Sequence, residues 1–447
     1  MLGEAASGNP LPAQSNPGAR CYPRIVTIDA PDAEPACPGS PGMTSTLTPL
    51  DPAATAALRV ERRAFGDIPR ATWDRLAARN PWATPFSGWV FQRAWWDAYH
   101  GSAHDQTLVV TATGGTAGGP EAGDVVAIVP LMHRHEVEPA DAETATRIRH
   151  SDGVPLTPVP PTAKAIFFGA SYHADYATIL AAPADLSAVA DAVAEHLAGD
   201  ARAHDPSHPT DWDVIDLRRL RCGDPTAEAL ADAFGRREMG EGWTLNLERE
   251  DVCPVVHLPA GVDFESYLST LDKKARHEIR RKIRRAEAAG EVELRRSADP
   301  MAELESFIEM HQRKWGDRGL FPHTPGGDAS RTFVRRLFEL AGPDGAIHLS
   351  FLTVGGKRIA AGIHVETDDN VMFYNAGVDP EAKELSPGVV LVAELMRLAI
   401  ETGKRRFDFL RGDEPYKYEW GSTDEPIQRL LVRQDGARAD DARAEGR

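Results

Sequence analysis

The chain has 447 residues, 42% of them apolar, enough to bury a core in each of two domains. Its formal net charge of −17 argues against general affinity for nucleic acid, DNA included, so an anionic ligand would need a local basic site. No apolar run approaches the roughly 20 residues of a membrane span, and the N-terminus lacks a basic-then-apolar signal pattern. The four cysteines, Cys21, Cys37, Cys222 and Cys253, have neither metal-site nor disulfide spacing, which predicts a soluble cytoplasmic protein with reduced thiols and no metal.

Residues 1–48 are rich in Pro, Gly, Ala and Ser without an apolar period, a composition that predicts a disordered tail. Met43 opens a more ordinary sequence and is a candidate start. An N-terminal domain is expected over 49–245. It begins with a hairpin, LVVTAT to VVAIVPLMHR, across the loop GGTAGGP at Gly114 to Pro120. That loop lacks the Gly-Lys-Ser/Thr ending of a phosphate loop and reads as a plain connection. His133 and His135 share a strand face, but no further ligand type completes a metal site, so they read as structural. AIFFGASYHADYATIL then reads as a β-rich stretch, DLSAVADAVAEHLAGD as a helix and DWDVIDLRRL as a buried strand.

A linker is expected near Gly240 to Pro259, followed by a second domain over 253–433 and a solvated tail over 434–447. In this half a hairpin turns at Gly355-Gly356, and strand NVMFYNAGVDP, helix SPGVVLVAELMRLAIETG and strand RRFDFLRGD repeat the strand–helix–strand order of the first. Both final strands end in Asp, apolar residues and Arg. The fold class is therefore α/β with mixed sheets, as a tandem duplication.

Four stretches of the second half could carry chemistry. Along KKARHEIRRKIRR and the Leu-Asp before it, Leu271, Ala275, Ile279 and Ile283 form a thin apolar stripe under a wide cationic face. Such a face is either solvated and paired within the molecule or an anchor for phosphate, with Lys274, Arg276 and Arg280 as the named contacts. HQRKWGDRG closes a helix that begins near Asp299 and sets His311 and Trp315 one turn apart, with Arg318 just beyond. Ser386-Pro387-Gly388 opens a helix, with Ser386 as its cap and Gly388 letting an anion approach the first-turn amides. RGDEPYKYEW, Arg411 to Trp420, places Asp413, Glu414, Tyr416 and Lys417 within five residues. It reads either as a turn packed by its aromatics or as an acid pair that takes a proton from an amine, beside groups that steady negative charge.

Together these pieces resemble GNAT-superfamily proteins of the CelD-like type, relatives of the Fem aminoacyl transferases, over about residues 50–433. The first half contributes PFSGWVFQRAWWDAYHG, VVAIVPLMHR, HADYATILAAP and DWDVIDLRRL to the resemblance, and the second CPVVHLPAGVDFESYLSTLDKKARHEIRRKIRRAE, HQRKWGDRG, FYNAGVDP, LSPGVVL and FDFLRGDEPYKYEWG. The resemblance implies a doubled acyltransferase fold with the working cleft mostly in the second half. Its central strands would splay, and donor phosphates would meet the following helix start.

By the same analogy NAGVD at Asn375 to Asp379 is the bulged strand and Ser386 to Gly388 the phosphate-facing turn. Asp413 or Glu414 is then the base, with Tyr416 or Lys417 serving the leaving group. Arg411 positions the site, and His311, Trp315, Arg318, Tyr374 and Asn375 contact substrate. The expected reaction is N-acyl transfer from acyl-CoA to an amine of a small molecule, sugar or cell-envelope precursor. The alternatives are an aminoacyl-tRNA donor, as in the Fem relatives, or a non-catalytic module of the same fold. The helix turn departs from the classical acyl-CoA pattern in having only Gly388 where closely spaced glycines are usual.

Overall fold

The computed structural model describes residues 57–114, 120–134, 156–160, 163–171, 173–203, 210–342 and 345–434. The N-terminal tail with Met43, most of the Gly-rich loop, His135 and the C-terminal tail beyond Gln434 lie outside the described residues.

The first half runs β1 (Leu58–Arg62), α1 (Arg70–Arg79), α2 (Trp89–Tyr99), β2 (Ala103–Asp105), β3 (Leu108–Ala112), β4 (Val125–Val129), β5 (Leu131–Arg134), β6 (Ala165–Phe168) and β7 (Leu180–Ala181). It continues with α3 (Leu186–Ala203), β8 (Val214–Arg221), α4 (Pro225–Glu241) and β9 (Trp243–His257). The second half runs α5 (Phe264–Thr270), α6 (Lys273–Ala289), β10 (Val292–Arg296), α7 (Pro300–Trp315), α8 (Pro325–Ala341), β11 (Ile347–Val354), β12 (Lys357–Glu366) and β13 (Asn370–Val378). After it come α9 (Pro387–Glu401), β14 (Arg406–Asp408), α10 (Pro415–Tyr418) and β15 (Thr423–Gln434).

The duplication is explicit in the sheet. β6 and β8 run parallel across α3, and β13 and β14 run parallel across α9. Each pair has three residues in register, ending at Phe167↔Asp216 in one half and Met372↔Asp408 in the other. The equivalent aspartates therefore sit where each strand pair parts. The second hairpin turns where expected, with Gly355 and Gly356 both at positive φ, 55° and 78°, as a primed two-residue turn requires.

Residues 243–257 are not a linker. They form β9, which lies between β14 and β15 in an eleven-stranded sheet of order β10-β11-β12-β13-β14-β9-β15-β8-β6-β5-β2. The first five residues of β9, WTLNL, alternate apolar and polar in a period-two strand pattern, which the polar run ERED that follows interrupts. β15, from the end of the second half, inserts between β9 and β8, so the two halves share one continuous sheet. A shared core reinforces this: Phe91 and Trp95 of α2 pack with Phe307 of α7 and Phe333 of α8, and Arg336 pairs with Asp97 at 2.8 Å. Cys222 is disulfide-bonded, contrary to the expectation of four reduced thiols, while Cys253 is free and buried. No helix among the described residues is long and apolar enough to cross a membrane.

One close approach holds the second half's layers together. A Cβ on Gly377 of β13 would lie 2.6 Å from the His311 backbone nitrogen and 2.9 Å from the Met310 carbonyl carbon, so α7 rests directly on the strand. Gly377→Ala should cost about 1–3 kcal/mol by forcing the layers apart. A denaturant midpoint equal to that of the wild type would contradict this packing.

Candidate active site

Beyond Met372↔Asp408 the strands β13 and β14 separate. β13 continues to Val378, and its register with β12 shifts between Ile363 and His364, which leaves Tyr374 as the extra, bulged residue. The bulge thus falls one residue before the segment Asn375 to Asp379 where it was expected. On the other side the chain turns away through Leu410, a non-glycine residue at φ 57°.

A cavity of about 1580 Å³ opens at this parting. Tyr374 and Asn375 line it from β13, Ser386 and Gly388 from the start of α9, and His311, Trp315 and Arg318 from the end of α7 and just beyond. Arg411, Glu414, Tyr416 and Lys417 line it from the loop after β14. Asp413 is buried and does not line it, so of the acid pair only Glu414 faces the cavity.

The loop is over-determined. The Lys417 ammonium is buried and donates to the carbonyls of Leu410, Arg411 and Gly412 at 3.0, 2.8 and 2.9 Å, and it pairs with Glu414 Oε2 at 2.9 Å. All three of its protons are engaged, so Lys417 acts as a clamp on the loop and leaves none for a departing group. Asp408 accepts hydrogen bonds from the Leu410 N–H at 2.7 Å and from the Tyr176 hydroxyl at 2.8 Å. These bonds hold a backbone conformation that costs about 1–3 kcal/mol in isolation. Arg411 Nε reaches Asp175 at 3.2 Å, so Tyr176 and Asp175 of the first half prop the loop at two points.

The start of α9 differs from the expected cap. Ser386 is left-handed, at φ 54° and ψ 52°, and its side chain makes no capping bond; its carbonyl instead accepts the amides of Val389 and Val390. Gly388 borders open space, since a Cβ there would meet only Val378 Cγ1, at 3.9 Å. The expected contacts from the basic helix do not reach the cavity. Arg276 donates to the Ser269 carbonyl, Arg280 pairs with Glu265 at 2.7 Å, and Lys274 is exposed. Lys282 of the same helix does line it, together with Lys383 from the 3-10 turn Pro380–Leu385. The apolar period specifies the helix, whereas packing decides its rotation.

His311 is buried with Nδ1 unpartnered, and burial, aided by Lys314, pushes its imidazole down to about 4, so it is neutral at pH 7. Tyr416 packs edge-on against Phe409, and its phenol is pushed above its ordinary value, by desolvation first and then by the Glu414 carboxylate. Sequence reasoning missed the first-half wall: the Tyr99 hydroxyl meets His173 Nε2 at 2.7 Å and Ser330 Oγ at 3.0 Å, while the Tyr374 hydroxyl donates to the His173 carbonyl at 3.1 Å. No spacing signal could have found these contacts, because Tyr99 and His173 reach Ser330 and Tyr374 across about 200 residues or more of chain.

Residues 273–418 match the family model described as an acetyltransferase (GNAT) domain. The match thus covers much of the second half, within the doubled fold described above. The chain is similar to the crystal structure of FemX at 11% identity, over 83% of this chain and 96% of that one, with a TM-score of 0.49. It is also similar to a tandem GNAT protein from the clavulanic acid biosynthesis pathway, solved without AcCoA, at 11% identity over 85% and 99% of the two chains and a TM-score of 0.41. A conserved protein of unknown function from Bacteroides thetaiotaomicron VPI-5482 is similar at 13% identity over 84% and 100%, with a TM-score of 0.47. No curated protein matches the chain in sequence.

Burial, reinforced by Glu425, pushes the Asp408 carboxyl up to about 6, against the Leu410 N–H, Tyr176 and Arg406, which favour its charged form. The folded protein therefore binds a proton here more tightly than the unfolded chain does. Its contribution to stability is full at acid pH and is lost as pH rises from about 4 through about 6. Wild type should thus lose stability relative to Asp408→Asn between about pH 4 and pH 7, measured by denaturant unfolding. A difference that stays constant with pH would contradict the assignment.

Proposed function

We propose that the protein transfers an acyl group from acyl-CoA to an amine of a small molecule, sugar or cell-envelope precursor. The observation that carries this reading is the parting of β13 and β14 over a single cavity. That cavity joins a helix start with two lysines at hand to a clamped loop bearing Glu414 and Tyr416.

The residues present fit the donor. In the first turn of α9 Pro387 has no N–H and Ser386 accepts the Val389 and Val390 amides, which leaves the Gly388 N–H facing open space where the helix dipole favours an anion. Lys282 and Lys383 supply positive charge in the same cavity. Along residues 373–378 the β14-facing edge of β13 has no strand beside it among the described residues, which leaves an edge along which the extended part of the donor can lie.

Glu414, the cavity-facing acid, takes the proton from the acceptor's ammonium. The freed amine nitrogen then forms its bond to the acyl carbon as the carbon–sulfur bond breaks, the sulfur leaves with the electron pair, and the nitrogen sheds its surplus proton to solvent. Tyr416, kept protonated by its surroundings, donates to the departing thiolate and is recharged from solvent. His311, uncharged and lacking a partner at Nδ1, and Trp315 bound the acceptor's side of the cavity.

Two variants test separate parts of this assignment. Gly388→Trp should abolish acetyl-CoA binding in calorimetry by filling the helix start. Glu414→Gln should leave that affinity unchanged while lowering turnover, assayed against a panel of amines, by about 10² or more. Turnover within about tenfold of wild type would remove Glu414 as the base.

A further inference from the structure

Helix α6 is only partly accounted for by the cavity. Its 17 residues, KKARHEIRRKIRRAEAA, hold eight lysines and arginines against two glutamates, in a chain whose net charge is −17. Ile279, Ile283 and Ala286 are buried in the core that includes α9. On one flank Arg276 and Arg280 are tied to α5. On the other, Lys282 lines the cavity and Arg285 donates to the Glu384 carbonyl at 2.7 Å, in the turn that precedes α9.

Opposite the buried row, helical spacing aligns Lys273, His277, Arg281 and Arg284, with Lys274 beside them, and all five are exposed. Arg281 pairs with Glu278 at 2.6 Å, whereas Lys273, Lys274 and Arg284 make no ion pair among the described residues. Like charges at this spacing repel, so folding does not explain the face.

We propose that this face docks an acidic acyl carrier protein whose phosphopantetheine arm presents the acyl thioester to the cavity beside Lys282. The proposal rests on the acyl-thioester reading above and names the macromolecule that bears the donor. Such an arm ends in the same thioester-bearing group as acyl-CoA, so one cavity serves both. The docking face must then lie close to the cavity, and Lys282, on the same helix, lines it.

Size and charge select this occupant. A 17-residue helix is about 25 Å long, on the scale of the roughly 800 Å² per partner of an ordinary protein interface. A tRNA or a bilayer would extend past the helix onto an acidic protein, where it would be repelled. The cavity, at about 1580 Å³, is larger than an acetyl donor needs, and Phe373, Val392, Phe409 and Leu410 give a longer acyl chain an apolar wall. The transfer balances as before: the amine nitrogen bonds to the acyl carbon, the carbon–sulfur bond breaks, and the carrier keeps a protonated thiol.

The test titrates the full chain by calorimetry with holo-acyl carrier protein and separately with CoA, for wild type and for Lys273→Glu/Arg284→Glu. The expected result is carrier binding that weakens at least tenfold in the variant and with added salt, while CoA affinity stays within twofold. The unchanged CoA affinity also shows that the variant is folded. Binding of CoA without binding of the carrier, or equal carrier affinity in wild type and variant, overturns the docking and leaves the function above standing. Binding of neither overturns both. If bulk tRNA or phosphatidylglycerol vesicles bind more tightly than the carrier and lose that binding in the variant, the face belongs to them and the carrier proposal fails.

Discussion

The parting of two parallel strands after three residue pairs is the constraint on which the rest depends. Backbone groups that leave a ladder must find other partners, and strands that diverge in a sheet interior would ordinarily collapse together or fill with side chains. Here the gap is held open from one side by β13, bulged at Tyr374 and backed by α7 at Gly377. From the other side Asp408 fixes the Leu410 amide and Lys417 gathers three successive carbonyls. Tyr176 and Asp175 brace that loop from the first half, which makes the first half part of the site's architecture.

The duplicated half shows what happens without such bracing. β6 and β8 also part after an aspartate, but Asp216 is gripped by Arg429 at 2.7 and 2.8 Å and by Arg218. The chain then rejoins through the parallel bridge Ala177↔Leu220, and the gap is closed. The twin aspartates titrate in opposite senses as a result. Burial raises both, yet at Asp216 the two arginines more than offset it, whereas at Asp408 the Leu410 N–H, Tyr176 and Arg406 do not, and it stays high, at about 6. One half spends its aspartate on closure and the other on a strained loop beside a cavity.

Much of this was legible in the sequence. The repeated strand–helix–strand order, the Gly355-Gly356 turn and the cluster in RGDEPYKYEW all carry local signals of period, turn chemistry or composition. What was hidden depends on rotation or on distance along the chain. The side of α6 that meets the cavity, and hence Lys282 in place of Lys274, Arg276 and Arg280, is set by packing against α9. That Lys417 is a clamp and Asp413 lies outside the cavity follows from the path of a ten-residue loop, which composition does not encode. β9 reads as a linker from its sequence because its alternation spans only WTLNL and its neighbour, β15, arrives from the far end of the chain.

The account stands on the open edge of β13 as the seat of the acyl donor. Amide hydrogen exchange with and without acetyl-CoA tests this directly. Slowed exchange confined to residues 373–378 and to the first turn of α9 from Gly388 is the predicted result. Protection elsewhere, with these amides exchanging as fast as in the free protein, would contradict it.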